Sequence, residues 1–208
     1  MIVTSDEILK GDSVHFTRLQ LQNIYTHFDW NNDPELNNLD SEIPYVEEGF
    51  GDFKRRFERL VYDPRPNGLD YEVHANDGTL IGVAYVTDIS EYNAHGTIGI
   101  TIGNRDYWGK GYGRDALAVL LDHCFEDLGM HRVSAETFEF NDAWRRLVQW
   151  AGFEREGVVA DFVRRGDEFF DKEIYGLVEG AYRYRRLHAM AGLQGATRRP
   201  TAGRLRMG

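Results

Sequence analysis

The chain alternates between two hydrophobic periods, and their order predicts a mixed α/β (α+β) domain. Apolar residues at helical spacing, such as Leu21, Ile24 and Phe28, predict helices, and β-branched segments such as 97–103 predict strands. The predicted strands cover residues 14–19, 69–75, 79–87, 97–103, 132–140, 157–164 and 168–177. The predicted helices begin near Leu21 and Phe50 and cover 114–128 and 142–151, with a short helix from 181 that runs into disorder. We therefore expect a central mixed sheet of about seven strands with helices on both faces.

A glycine-rich turn lies between the predicted strand 97–103 and the predicted helix 114–128. It reads Trp108-Gly109-Lys110-Gly111-Tyr112-Gly113. Such a turn before a helix aims backbone N–H groups and the positive helix end at an anion such as a phosphate. It lacks the Gly-Lys-Ser/Thr ending of a P-loop and the spacing of a dinucleotide fingerprint. By itself, the turn leaves open both plain chain reversal and phosphate binding.

Composition adds that 208 residues suffice for one domain with a real core and are few for two. No apolar run approaches the ~18 residues of a membrane span. The first residues also lack the basic start and apolar stretch of a signal peptide. The single cysteine, Cys124, lies on the apolar face of a predicted helix, where a structural thiol is favoured over a nucleophile. We therefore expect a cytoplasmic protein with no membrane partner.

Charge divides the chain into an acidic body and a basic tail. The net charge is -10, but residues 179–208 hold seven arginines and a single acid, so residues 1–178 carry 17 basic and 33 acidic side chains. We expect one domain over residues 1–178 and a partly helical or disordered basic tail over 179–208. An acidic body attracts cationic substrates and disfavours nucleic acid, although a plain soluble surface would have the same composition.

Further groups of residues accompany the glycine-rich turn. They are Trp30-x-Asn32-Asp33-Pro34-Glu35, Leu128-Gly129-Met130-His131-Arg132, Asn141, Leu147 and Gly152-Phe153-Glu154-Arg155-Glu156-Gly157. With them, the chain resembles the GNAT superfamily of acyl-CoA-dependent N-acetyltransferases, and more narrowly its ribosomal-protein N-terminal acetyltransferase (RimJ/RimL-like) branch. The resemblance covers about residues 12–178. It implies the GNAT fold, with a mostly antiparallel sheet and a parallel pair of strands that splay apart at the CoA site.

The resemblance also implies acetyl-CoA as the cosubstrate. The pantetheine arm would pair with one strand like an added strand, and the pyrophosphate would lie on the glycine-rich turn. The implied CoA-binding residues are Ile100, Thr101, Ile102, Trp108, Gly109, Lys110, Gly111, Tyr112, Gly113, Arg114 and Asn141. Lys110 and Arg114 would add charge-assisted bonds, unless they are only solvated surface cations. Asn141 would act both as a helix N-cap and as a partner of the pantetheine arm.

Proton transfer cannot be carried over from the family. Relatives have Ser or Ala and then Tyr where this chain has Trp144 and Val148, and often Glu where it has Thr97. Neither Trp144 nor Val148 can protonate the departing thiolate. From the residues alone, the candidate bases are Glu136, Glu139 and His95, with Asp88 as a further alternative. Glu136 sits mid-strand among apolar neighbours, where we expect desolvation to make its carboxylate more basic.

These observations predict an N-acetyltransferase that moves an acetyl group from acetyl-CoA to a primary amine by direct attack in a ternary complex. The acceptor is expected to be a protein N-terminus or a small-molecule amine, and we expect no metal because no cluster has ligand spacing. A polyamine or aminoglycoside acceptor is the first alternative. The acidic residues that would attract it are Asp29, Asp33, Glu35, Asp40, Glu42, Glu47 and Glu48. A catalytically silent acyl-CoA-binding module is the second, and a homodimer is a candidate assembly.

Overall fold

The computed structural model describes residues 9–190, which form an eight-stranded sheet beside six α-helices. The strands are β1 (Leu9–Lys10), β2 (Val14–Arg18), β3 (Leu69–Ala75), β4 (Leu80–Ser90), β5 (His95–Thr101), β6 (Arg132–Phe138), β7 (Glu154–Arg165) and β8 (Glu168–Val178). Their order in the sheet is β1-β2-β3-β4-β5-β6-β8-β7. Only β5 and β6 run parallel among these strands. The expected mixed, mostly antiparallel sheet is confirmed, and the two-residue β1 is the strand that the sequence pattern missed.

The helices are α1 (Ile24–Asn31), α2 (Pro34–Asp40), α3 (Phe50–Tyr62), α4 (Tyr112–Asp122), α5 (Asp142–Ala151) and α6 (Glu179–Met190). The pattern did not predict α2, which has one buried residue, Leu36. It also predicted a single helix over 114–128, whereas α4 ends at Asp122 and continues as a π-helical turn, His123–Asp127. The Leu128 N–H donates to the His123 carbonyl at 3.0 Å in this turn.

Helices cover both faces of the sheet, because successive residues of a strand point to opposite sides. On β3, the Tyr71 hydroxyl contacts His123 of the turn after α4, whereas the carboxylate of Glu72 contacts His27 of α1. The main core lies under α4 and α5, where Leu117 and Leu120 are fully buried. A smaller apolar cluster joins α1 to α3.

The start of the basic tail is α6, which packs on the domain. Tyr182 is buried and stacks on Phe125 with ring centroids 4.6 Å apart. The Arg186 guanidinium lies 2.8 Å from the Asp122 carboxylate. The disorder expected for the end of the chain falls on residues 191–208, outside the described residues. Among the helices of residues 9–190, none has the length and apolarity needed to cross a membrane.

Candidate active site

The parallel pair separates after three residues. Residues 95–97 of β5 pair with residues 132–134 of β6, and this ladder ends there. β6 continues to pair with β8 as far as Phe138. The indole Nε1 of Trp144 donates to the Glu136 carbonyl at 3.2 Å and so ties α5 to β6 beside the gap. Beyond Thr97, β5 therefore has a backbone edge that β6 does not cover.

A cavity of ≈ 830 Å³ opens where the two strands part. It runs along β5 to the start of α4 and is bounded by α2 and α5. The predicted CoA-binding residues that line it are Ile100, Thr101, Ile102, Trp108, Gly109, Gly111, Gly113, Arg114 and Asn141. Lys110 and Tyr112 are not among its lining residues. Lys110 is exposed on the turn, and Tyr112 packs edge-on against Tyr107 with ring centroids 4.9 Å apart.

The glycine-rich turn adopts a conformation that favours glycine at two positions. Gly109 has φ 70° and Gly111 has φ 95°, in the left-handed region that L side chains rarely adopt. Gly111 precedes the first residue of α4, so the first N–H groups of that helix lack acceptors within the helix. The Arg114 N–H donates to the Gly111 carbonyl at 2.9 Å and is therefore already paired. The guanidinium of Arg114 lies over the Trp150 ring, 5.2 Å from its centroid.

One aromatic side chain, Trp108, and one amide side chain, Asn141, hold the walls of this cavity in place. The Trp108 indole donates to the Ile102 carbonyl at 2.6 Å and holds the turn against the end of β5. Asn141 caps α5 through its Oδ1, which accepts from the Trp144 N–H at 3.1 Å. The Asn141 Nδ2 donates to the Leu39 carbonyl of α2 at 3.2 Å. The amide donor expected to face the pantetheine arm is thus bonded to α2 in this structure.

The structure separates the four candidate bases, of which Glu136 and Asp88 line the cavity. Glu136 lines the cavity, but its side chain is 44% exposed and its carboxylate lies 2.5 Å from the Lys172 ammonium. The desolvation expected for Glu136 is therefore wrong, because its side of β6 faces the open gap rather than a packed layer. Glu139 accepts a hydrogen bond from the Asp171 N–H at 3.0 Å, and neither it nor His95 is among the lining residues.

Lys172 also reaches Glu42, with the ammonium 2.9 Å from that carboxylate. Partial burial acts to lower the pKa of Lys172, but its bonds to Glu136 and Glu42 outweigh this and raise it. Val148, at the position of the family's tyrosine, is fully buried in the core. The proton chemistry of relatives therefore has no counterpart at that position.

The short helix α2 forms one wall of the cavity, and its start is encoded locally. The Asp33 carboxylate accepts from the Glu35 N–H at 3.0 Å and the Leu36 N–H at 3.2 Å, and Pro34 occupies the first helical position. Both features are typical helix-start signals. Arg105 adds bonds to Asp33 at 2.6 Å and to Glu35 at 2.8 Å.

The end of α2 is held by the β7–β8 hairpin. The Arg165 guanidinium donates to the Asn38 carbonyl at 3.1 Å and to the Ser41 carbonyl at 2.5 Å. The central carbon of this guanidinium, Cζ, lies over the rings of Phe138 and Phe140, 5.6 Å and 5.4 Å from their centroids. The hairpin therefore positions the last turn of α2, which includes Asp40.

A second cavity of ≈ 330 Å³ lies between α1, α2 and α3 on one side and β3 and β4 on the other. Its apolar wall includes Trp30, Phe53 and Phe57. It shares four lining residues with the large cavity, namely Leu36, Asp40, Tyr85 and Thr101. The two cavities therefore meet at the end of α2.

Asp40 and Tyr85 are the polar side chains at this junction with altered acidity. The Asp40 side chain is exposed toward the cavities, but the protein packed around its carboxyl desolvates it and so raises its pKa, whereas hydrogen bonding with the Tyr85 hydroxyl acts to lower it. Burial also raises the pKa of Tyr85 above its ordinary value. The phenol thus keeps its proton near neutral pH. Sequence reasoning placed Asp40 only in an acidic segment, although the Asp33-Pro34 helix start could have indicated α2.

A buried carboxylate lies near the second cavity. Glu72 is fully buried, and its oxygens lie 2.9 Å from the His27 ring nitrogen and 3.1 Å from that of His74. Burial acts to raise the pKa of Glu72, but the bonds with both histidines outweigh this and lower it to about 2. The same bond raises the pKa of His74. Among residues 9–190, no group of His, Cys, Asp and Glu side chains is arranged to hold a metal ion.

Comparison with known proteins links this geometry to a family. The family model described as the acetyltransferase (GNAT) domain matches residues 14–154. The curated protein named uncharacterized N-acetyltransferase p20, from Bacillus licheniformis, is 23% identical over 177 residues, which cover 85% of this chain and 98% of the relative.

Solved structures share the fold. The spermidine N-acetyltransferase from Vibrio cholerae, in complex with CoA and spermine, superposes with a TM-score of 0.74 at 19% identity, over 82% of this chain and 98% of that one. The dodecameric form of that enzyme in an intermediate state gives a TM-score of 0.68 at 20% identity, over 83% and 98%.

Proposed function

Because this chain belongs to the GNAT acetyltransferase family and is an acetyl-CoA-dependent N-acetyltransferase, we propose that it transfers the acetyl group to a primary amine by direct attack in a ternary complex. Direct attack requires the thioester and the amine to be held together at one place. Such positioning supplies a large part of the rate in two-substrate reactions. The large cavity, bounded by the open edge of β5, is where we place both reactants.

The observation that carries the proposal is the end of the parallel ladder after Thr97 and Ser134. The backbone from Ile100 to Ile102 is not covered by β6, and it is suited to an extended pantetheine arm that adds to the sheet as a strand would, with the Ile102 carbonyl at its end already accepting from Trp108. The cavity continues from this edge to the N-terminus of α4. One groove therefore offers backbone pairing to the arm and an anion site to the pyrophosphate.

The pyrophosphate site that we propose is the turn around Gly109, Gly111 and Gly113. N–H groups at a helix start and the helix dipole both favour phosphate oxygens. Since the Arg114 N–H is bonded to Gly111, the N–H donors would come from the residues before it. The side chains of Arg114 and Lys110 would add charge from the rim.

The chemistry requires a group that accepts the amine proton and a donor for the developing oxyanion. A backbone N–H of the uncovered β5 edge would serve the oxyanion. Of the candidates Glu136, Glu139, His95 and Asp88, Glu136 and Asp88 line the cavity, and Glu136, on β6 beside the gap, is the first to test. Its pairing with Lys172 would have to be broken before it could accept a proton.

Two acceptor classes fit the proposal. A protein N-terminus follows from the RimJ/RimL-like form of the glycine-rich turn. A polyamine is favoured by the acidic body and by the Vibrio cholerae enzyme of the same fold, which binds spermine. We further propose a cytoplasmic location and self-association, the latter in line with the dodecameric form of that enzyme.

An acceptor panel tests the function. The purified chain is incubated with acetyl-CoA and, in turn, peptides with free N-termini, spermidine and an aminoglycoside, and release of the CoA thiol is followed. We expect thiol release with at least one amine and none with the matching N-acetylated peptide. Tight CoA binding without release on every class would replace the enzyme by the acyl-CoA-binding module, which Trp144 and Val148 would then explain.

A further inference from the structure

We propose that Asp40 and Tyr85 form the acid–base pair of the transfer reaction, with Asp40 accepting the amine proton and Tyr85 donating a proton to the leaving thiolate. The inference rests on the proposed function, because it takes the thioester to lie along β5. Both residues line both cavities, so they stand where an amine from the smaller cavity would meet an acyl group in the larger one.

Tyr85 is positioned by a close cross-strand contact. Tyr85 of β4 pairs with Gly99 of β5, and a Cβ at Gly99 would overlap the Cζ and hydroxyl of Tyr85. The phenol therefore lies directly over Gly99. Gly99 lies on the part of β5 that β6 does not cover, directly before Ile100, where the pantetheine arm would pair. This places the hydroxyl at the level where the thioester of a bound acyl-CoA would end.

Asp40 is the last residue of α2, and four side chains from other elements fix that helix. Arg105 bonds Asp33 at its start, and Asn141 and Arg165 bond carbonyls of its last turn. Lys172 bonds Glu42, two residues after the helix. The surrounding protein makes Asp40 a stronger base than an ordinary aspartate. Burial disfavours the phenolate of Tyr85, so the phenol is protonated in the resting site, and it can give its proton to the sulfur only in concert with uptake of a proton from Asp40, so that no phenolate forms.

The smaller cavity suits the chain of a primary alkylammonium ion. Aromatic and apolar side chains, including Trp30, Phe53 and Phe57, provide contact for methylene groups. Asp40 is at the end that opens to the CoA groove, where it can attract the ammonium head. A cation between aromatic rings and a carboxylate is a favourable arrangement in a site that is partly shielded from water.

Other ionisable groups around Asp40 are already paired or belong to other walls. They are His27, Arg56, Asp70 and Tyr71 in the smaller cavity, Glu42, Asp88, Tyr107, Arg114, Glu136, Arg146 and Lys172 in the larger one, and Arg65 near Tyr85. Arg56 bonds Glu48, Arg65 bonds Asp70, and Lys172 bonds both glutamates of its wall. The ionisable side chain that neighbours Asp40 is therefore Tyr85.

The proton count closes with these two groups. An ammonium loses two protons when it becomes an amide nitrogen. The first passes to solvent and leaves a neutral amine, which attacks the thioester carbon. Asp40 takes the second from the nitrogen of the tetrahedral intermediate. As the C–S bond breaks, Tyr85 gives its proton to the sulfur and regains one from the protonated Asp40. The products are the amide and the free thiol, and both side chains return to their starting states.

The test compares isosteric variants of the pair with charge-matched controls. Asp40→Asn and Tyr85→Phe, singly and together, are assayed from about pH 5.5 to 9.5 with the best amine of the parent, and acetyl-CoA affinity is measured by calorimetry. Asp63→Asn, on an exposed residue after α3, makes the same charge change away from both cavities. Glu136→Gln removes the competing base. Melting temperatures check that each variant is folded.

We expect each single substitution, Asp40→Asn or Tyr85→Phe, to lower kcat at least about tenfold and to leave the acetyl-CoA affinity within about twofold of the parent. The double variant should be no worse than the poorer single one, because groups that act as a unit are not additive. The inflection that ionisation of Asp40 adds to the acidic side of the kcat profile should disappear in Asp40→Asn and persist in Asp63→Asn, whereas the slope that ionisation of the free amine gives to kcat/KM should remain in both.

Unchanged kcat in folded Asp40→Asn and Tyr85→Phe would overturn the inference and leave the transferase intact. A higher amine KM with unchanged kcat in Asp40→Asn would also overturn it, since Asp40 would then only bind the ammonium. Loss of activity in Glu136→Gln but not in Asp40→Asn would move the base to Glu136. A parent that binds acetyl-CoA but acetylates no amine would refute the proposed function itself.

Discussion

Replacing Gly113 by alanine or by glutamate distinguishes steric from electrostatic effects on CoA binding at the proposed pyrophosphate site. Gly113 is the second residue of α4, and a Cβ there would lie 3.6 Å from Leu147 Cδ2 and 4.0 Å from Ile102 Cγ1. These are ordinary contacts, so alanine fits without movement. Its better helix propensity is worth up to about 1 kcal/mol. We expect Gly113→Ala to be at least as stable as the parent and to keep CoA affinity within a few fold.

Gly113→Glu should fold as well, because an acidic residue in the first helical turn interacts favourably with the helix dipole, by about 0.3–1 kcal/mol. The carboxylate would nevertheless share the anion site with the pyrophosphate. Two like charges about 4 Å apart repel by about 4 kcal/mol at an effective dielectric constant of about 20. Salt and side-chain movement reduce this figure. We therefore expect CoA affinity to fall at least about a hundredfold.

Calorimetric titration of CoA, with thermal unfolding of the same samples, measures both quantities. Gly111→Ala is the backbone control: at φ 95° its methyl meets no atom within 4 Å, so about 1–2 kcal/mol of strain should appear as lost stability. A folded Gly113→Glu protein with parental CoA affinity would refute the pyrophosphate assignment. Equal losses of CoA affinity in Gly113→Ala and Gly113→Glu would show that the effect is steric and not electrostatic.

Two further predictions concern stability. Glu72→Gln should lower the free energy of unfolding by about 3 kcal/mol at neutral pH. Denaturant unfolding should show this difference shrink as pH falls from about 5 toward about 2, because a carboxylate with a lowered pKa stabilises the fold only while it is ionised. The His74 contribution has the opposite sign: it is present below about pH 6.5 and is lost as pH rises through its raised pKa. Tyr182→Ala should lower the free energy of unfolding by about 3 kcal/mol, because packing on Phe125 is lost. Truncation after Leu177 should lower it by at least as much. A truncated protein with the melting temperature of the parent would show that α6 does not stabilise the domain.

The elements with a regular hydrophobic period could be predicted from the sequence. β5, α4, β6 and α5 each bury a regular face, and the glycine-rich turn was predicted to lie between the first two, where the structure has it. Their order alone implies a parallel pair joined by a helix. The ends were less predictable: β6 stops at Phe138, and α4 gives way to a π-helical turn whose buried His123 bonds Tyr71.

The environment of Glu136 could not be predicted, because it depends on which edges of the sheet are paired. Its sequence neighbours are apolar, which normally indicates a packed face. β5 leaves β6 after Ser134, however, so the side chain looks into the cavity. Lys172 reaches it from β8, the strand on the other side of β6. A local pattern contains neither fact.

The same reasoning explains why Asp40 is hidden in the sequence. α2 buries little beyond Leu36, so its position depends on polar contacts rather than on an apolar face of its own. Those contacts come from Arg105, Asn141 and Arg165, which lie far apart along the chain. Asn141, expected from the family pattern to hold CoA, donates to an α2 carbonyl, so the CoA wall and the segment carrying Asp40 are joined by one hydrogen bond. The geometry of that carboxylate is therefore a property of the folded cavity and not of the acidic segment in which it occurs.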